Sequence, residues 1–160
     1  MSISKSLKDS IFEAHQEAFK VLQEVFQSQS ISYFLIGAQA RDVHFYSKGI
    51  KPSRGTRDID FAVMVQDMAH YKSLFEQLQQ KGFFQTQDPY RLNWKEGETV
   101  IDLLPFGEIE ENYTVNFDQR NMELSVLGNR ELTDETENFY LDKEKSISIP
   151  VPPLHGVFLL

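Results

Sequence analysis

From Asp58 to Val65 the side chains alternate with a period of two. Ile59, Phe61, Val63 and Val65 are bulky and apolar, whereas Asp58 and Asp60 open the other register. In an extended chain, residues two apart share a face. The segment therefore predicts a strand with one face in the core and two carboxylates side by side on the opposite face. Adjacent anions repel, and such a pair calls for a compensating cation. A divalent ion that prefers oxygen ligands, Mg²⁺ or Mn²⁺, meets that need.

An Asp-x-Asp pair alone is a common feature of solvated strand ends. A third acid changes its meaning. Asp102 lies in the run Val100 to Leu104, which is otherwise apolar. Asp is almost never buried unpaired, because stripping water from a lone carboxylate is very costly. Asp102 must therefore face solvent, a basic partner or a metal. On a strand beside Asp58 and Asp60 it completes a three-carboxylate centre. Two ions about 3.5–4 Å apart, held by such a set, activate an attacking oxygen and steady a leaving group.

The surrounding chain supplies a sheet and helices to hold these strands. Ile11, Phe12, Ala18, Phe19, Leu22, Val25 and Phe26 recur at helical spacing, predicting an amphipathic helix over 8–28. Tyr33 to Ile36 reads as a short buried strand, ended by Gly37 and followed by a helix over 38–47. Gly49, Pro52 and Gly55 make 48–55 a loop. Asp67 caps a helix that runs to about Lys81, where Gly82 stops it. Residues 83–85, 90–94 and 99–104 read as strands, the last two joined as a hairpin through Glu96, Gly97 and Glu98. On the second of these strands Arg91 and Asn93 share a face beside Asp102. Weaker strand signals follow at 113–117, 123–127 and 147–149, and Pro150, Pro152 and Pro153 are expected to break the chain. The order predicts an α+β fold, a mixed sheet with helices packed on it.

The 160 residues suit one domain, assigned to 1–150. Leu154 to Leu160 reads as the start of an apolar helix, so 151–160 is expected to open a further helical region cut short at Leu160. There is no cysteine, which excludes disulfides and thiolate chemistry and fits a cytoplasmic location. No stretch approaches the roughly 20 apolar residues of a membrane span. A net charge of −8 argues against non-specific DNA binding. Within that acidic body, residues 41–57 carry Arg41, Lys48, Lys51, Arg54 and Arg57 against Asp42 alone. A local basic segment of this kind suits a small anionic ligand such as a nucleoside triphosphate. His44 reads as a packing or surface residue, and no Ser–His triad is visible.

The strand that runs into Gly37-Ala38 and a helix leaves backbone N–H groups at the helix start, where the helix dipole also favours phosphate. Together, Gly37-Ala38, Asp58-Ile59-Asp60-Phe61 and Ile101-Asp102-Leu103 resemble the DNA-polymerase-β-like nucleotidyltransferase superfamily. Its pattern is a strand ending in Gly-Gly or Gly-Ser, then apolar-Asp-apolar-Asp-apolar, then a third acid on a later strand. Arg54-x-Thr56-x-Asp58-Ile59-Asp60-Phe61 looks most like the branch of abortive-infection and toxin–antitoxin nucleotidyltransferases. The resemblance spans residues 31–106 and departs at one point, Ala38, which carries no hydroxyl for phosphate. It implies transfer of a nucleoside monophosphate from NTP to a hydroxyl acceptor on RNA, protein or a small molecule. It also implies that Asp58, Asp60 and Asp102 are catalytic and metal-binding, and that Gly37, Ala38, Arg41, Arg54 and Thr56 bind the nucleotide. An antitoxin-like protein is the partner expected for a toxin of this branch. The alternative is a module of the same fold that binds nucleotide or a partner without turnover. A metal-dependent phosphohydrolase would share the acids but not the preceding Gly turn.

Overall fold

The computed structural model describes residues 16–50, 58–95, 99–117, 122–126, 128–140 and 146–157. Helix α1 (Gln16–Ser28) buries Ala18, Phe19, Leu22, Val25 and Phe26, the stripe expected from the sequence. The first half of the predicted helix, 8–15, lies outside the described residues. Strand β1 (Tyr33–Ile36) leads directly into α2 (Gly37–Ser47). Strand β2 (Asp58–Met64) is followed by α3 (Met68–Gln80), whose first turn is capped by the Asp67 carboxylate accepting from His70 N–H. Strands β3 (Phe83–Gln85), β4 (Arg91–Trp94) and β5 (Thr99–Phe106) complete the main sheet.

The sheet order is β1-β2-β5-β4-β3. β2 and β5 run parallel at its centre, and the other neighbours pair antiparallel. The α+β prediction thus holds, as does the antiparallel β4–β5 pairing, while the turn expected at 96–98 lies outside the described residues. The central parallel pair needs a long crossover, and α3 with β3 and β4 supplies it. One face of the sheet is closed by aromatic packing. Phe61 of β2 meets Phe19, Phe26 and Tyr33 with ring centroids 6.0, 6.3 and 5.9 Å away. Tyr71 of α3 anchors to the sheet by donating its hydroxyl to Leu103 O at 2.5 Å. Burial pushes the pKa of Tyr33 up to about 12 and that of Tyr71 well above the usual phenol value.

Pro105 sits inside β5 without disrupting it. β4 pairs with β5 only from Thr99 to Asp102, so the missing N–H falls where that side of the strand has no partner. Beyond the sheet, β6 (Thr114–Phe117) pairs with β7 (Met122–Ser125), and β8 (Glu137–Tyr140) pairs with β9 (Ser148–Val151). Between these ribbons stand a short helix, α4 (Asn129–Leu132), and a 3₁₀ turn over 133–135. Pro150 was expected to break the chain but lies within β9. That strand belongs to a two-stranded ribbon, so one of its edges requires no N–H donor. A last short helix, α5 (Leu154–Val157), packs on α2. His44 is a packing residue as anticipated: its Nε2 bonds Pro152 O at 2.6 Å and its ring meets Phe139 edge-on. Among the described residues, no helix is long and apolar enough to cross a membrane.

Candidate active site

Strand register brings the acids together. Asp60 of β2 is the direct partner of Asp102 on β5, and Asp58 lies two residues earlier on the same strand. Neighbouring strands stand about 4.8 Å apart, so two in-register side chains on one face must touch or share a partner. On the opposite face, Ile59, Phe61 and Val63 are fully enclosed. In the acids' register Asp58 is exposed and Asp60 part-buried, and the alternation breaks only at Ala62, which is buried.

The third strand adds a cation. Arg91 of β4 is the register partner of Asp102 across the antiparallel pair. Its guanidinium grips that carboxylate with two bonds, Nε to Oδ1 at 2.8 Å and Nη2 to Oδ2 at 3.0 Å. The same Nη2 reaches Asp58 Oδ2 at 3.5 Å, while Nη1 lies 3.9 Å from Asp88 Oδ2. The acids around Arg91 hold its pKa above the ordinary guanidinium value. Asp102 is only 7% exposed, so this fork is what its burial requires.

Asp60 has the opposite problem. Burial is the largest influence on its carboxyl, followed by the charges of Asp102 and Asp58 and a hydrogen bond shared with Asp102. Arg91 offsets these only in part, and the pKa is pushed up to about 6. The cluster holds more negative charge than its one guanidinium balances.

Gly37 explains how a helix start can approach this crowded place. Its φ of +72° is one that L side chains rarely adopt, and a Cβ there would stand 2.9 Å from Asp60 Oδ2. Ile36, just before it, is the register partner of Asp60. The N-terminus of α2 is therefore beside the acids, and no side chain caps it from Ile36. Ala38 follows in the first turn. Arg41, one turn on, is bound to Asp42 at 3.4 Å. Asp42 is itself buried, and desolvation raises its pKa against the lowering effect of Arg41. Arg54 and Thr56 lie outside the described residues.

The donors are all carboxylate oxygens, which is the chemistry of a hard divalent cation. Among the described residues, however, no three His, Cys, Asp or Glu side chains stand as a ready metal cage. The arrangement shows why. Arg91 Nη2 stands between Asp58 and Asp102 and holds their oxygens at 3.5 and 3.0 Å. Magnesium–oxygen distances are about 2.0–2.1 Å, so the two carboxylates must close in by roughly 1–1.5 Å to share an ion. The residues fit a cation, and a cation of the chain's own already stands among them.

No family model matches the sequence, and neither does any curated protein. Solved structures do. A CCA-adding enzyme with CTP aligns over 66% of this chain and 23% of its own, at 17% identity and a TM-score of 0.44. The CCA-adding enzyme of Thermotoga maritima complexed with tRNA aligns over 66% and 24%, at 18% identity and 0.44. The lincomycin-bound lincosamide antibiotic adenylyltransferase LnuA aligns over 91% of this chain and 84% of its own, at 19% identity and a TM-score of 0.50. The chain therefore has the mixed-sheet fold of a nucleotidyltransferase, shared with LnuA along most of both chains.

Proposed function

We propose that this chain is a metal-dependent nucleotidyltransferase that moves a nucleoside monophosphate from NTP to a hydroxyl acceptor. The observation that carries this is the register of Asp60 with Asp102, with the Gly37 helix start pressed against Asp60. One place thus combines carboxylates for metal with backbone amides for phosphate.

In the reaction, the acceptor oxygen bonds to the α-phosphorus. The bond from that phosphorus to the β-phosphate breaks, and pyrophosphate leaves with the electron pair. Asp58 and Asp60 would hold the nucleotide-bound ion, and Asp102 would help hold a second. A bound Mg²⁺ or Mn²⁺ supplies charge neutralisation at the phosphates and at the attacking oxygen. Asp102 orients the acceptor hydroxyl or takes its proton. The N-terminus of α2, at Gly37 and Ala38, receives the triphosphate through backbone N–H groups. Arg54 and Thr56, from the sequence motif, and Arg41, one turn into α2, join it there. Ala38 lacks a hydroxyl, which leaves this contact to the backbone.

The acceptor is an RNA end, a protein side chain or a small molecule. The Arg54-x-Thr56-x-Asp58 motif supports a toxin-like role, held in check by an antitoxin-like protein. Residues 1–150 form the catalytic domain in this reading.

The test is calorimetry with Mg²⁺ and each NTP, followed by pyrophosphate release in the presence of candidate acceptors. Metal-dependent NTP binding with pyrophosphate release that Asp60→Asn abolishes is the expected result. Tight NTP binding without release from any acceptor mixture would favour a non-catalytic binding module instead.

A further inference from the structure

Three features of the described residues stand outside the acids themselves. A cavity of about 280 Å³ lies between α3 and Phe117, lined by Met68, Tyr71, Phe75 and Pro89 among others. Its walls mix these apolar groups with one cation, Lys72, and one acid, Glu76, so they name no ligand. Glu110 and Arg130 clasp the backbone of Gly107 and each other, a closed structural clip at the end of β5. The third feature is Arg91, and its geometry says more.

Arg91 does not merely neighbour the carboxylates. It contacts Asp102 and Asp58 at once, through a single nitrogen placed between them. That is the place a shared cation would take. A divalent ion within bonding distance of both oxygens would collide with Nη2 and be repelled by its charge. The two cations are mutually exclusive there. Arg91 can also leave. Its side chain is 30% exposed, and Asp88 already stands 3.9 Å from Nη1, on the far side from the bonds to Asp102. Asp88 is part-exposed and able to receive the displaced charge.

We infer that Arg91 is a built-in counter-cation, which a divalent metal must displace from Asp58 and Asp102 to load the site. The inference rests on the nucleotidyltransferase reading and extends it. Arg91 holds the acids in order without metal, and its departure towards Asp88 accompanies loading. Loading is then a replacement of one cation by another, and metal affinity is set partly by the strength of the fork. A fixed supporting role is the contrary case, in which Arg91 orients Asp102 for the metal and stays in place. The two differ in sign. Losing an orienting partner typically weakens metal affinity by about 10–100-fold. Losing a competitor strengthens it.

The experiment is Mn²⁺ binding to the full chain without nucleotide, followed by electron paramagnetic resonance of free Mn²⁺, for wild type and Arg91→Gln. The variant is expected to bind Mn²⁺ about tenfold more tightly, from removal of a unit charge a few ångströms away. Equal or weaker binding by a folded Arg91→Gln, with wild type still binding Mn²⁺, overturns this inference alone. Failure of both proteins to bind Mn²⁺ overturns the nucleotidyltransferase reading and this inference with it.

Removing Arg91 leaves its acids uncompensated, so a second measurement uses the native side chain. The Arg91 Nε–H is bonded to Asp102 at 2.8 Å and should give a protected ¹⁵N resonance, assigned by its loss in Arg91→Lys. Saturating Mg²⁺ is expected to shift that resonance and speed its hydrogen exchange. An unchanged resonance with unchanged protection at saturation contradicts displacement.

Discussion

A Cβ on Gly37 would stand 2.9 Å from Oδ2 of Asp60, closer than real Cβ contacts allow. The glycine is thus held by two constraints at once, its φ of +72° and the carboxylate against it. Gly37→Ala should destabilise the protein by at least about 1–2 kcal/mol from the backbone alone. Thermal melting would show this as a fall of about 2–4 °C per kcal/mol for a chain of this size. Displacement of Asp60 should also weaken Mn²⁺ binding. An unchanged melting temperature would mean that the α2 start is not pressed on Asp60.

Asp60→Asn should stabilise the metal-free protein at pH 7.5. The carboxyl has a folded pKa of about 6 against an ordinary 3.8, so the folded state holds the proton more tightly than the unfolded chain. Stability therefore falls as pH rises between those values, and the whole penalty is present above about 6. Asn carries no such charge. Urea denaturation in EDTA should show the variant ahead of wild type at pH 7.5, with the gap closing towards pH 4. A gap that widens on acidification would refute the assigned environment.

Asp102→Asn should do the reverse. It strips the charged acceptor from a two-bond fork on Arg91. The loss should be about 1.5–3 kcal/mol, the range for hydrogen bonds between charged groups. Two acids in register on adjacent strands would thus respond with opposite signs in the same denaturation assay. Equal responses would show that Arg91 does not discriminate between them.

Transfer itself should fall on the acid side. Protons compete with metal for Asp60, whose pKa is raised to about 6. Mg²⁺-dependent turnover is expected to decline as pH drops through about 6 and to recover partly with more Mg²⁺. A decline indifferent to Mg²⁺ would point to a different titrating group.

Tyr71→Phe separates stability from chemistry. The lost bond is buried, and its acceptor is the backbone carbonyl of Leu103 rather than one of the acids. Stability should drop by about 1–3 kcal/mol, since the carbonyl is left without its partner. Mn²⁺ affinity should stay within twofold (roughly 0.4 kcal/mol) of wild type. A larger change in affinity would tie α3 to the metal site.

Much of this site was legible before any fold was known. Period-two alternation put Asp58 and Asp60 on one face, and the cost of burying a lone acid marked Asp102. Alternation also put Arg91 on the face beside Asp102. It could not say that Arg91 is opposite Asp102, because that depends on the register of β4 against β5. Nor could it say that Arg91 would span two acids. Strand β8 gave no signal, since only Phe139 of its four residues is buried. Pro150 misled, because whether proline breaks a strand depends on which edge lacks a partner. Buried Asp42 gave no warning either, as a helix places its faces by tertiary packing.

The central claim is that Asp58, Asp60 and Asp102 form a metal-dependent centre for nucleotidyl transfer. Its most direct test uses NTPs labelled at the α-phosphate, with cell-extract RNA, protein and small-molecule fractions as acceptors. Label is expected in one fraction only when Mg²⁺ or Mn²⁺ is present, matched by pyrophosphate release, and none with Asp60→Asn. Label transferred equally well by Asp60→Asn would contradict it.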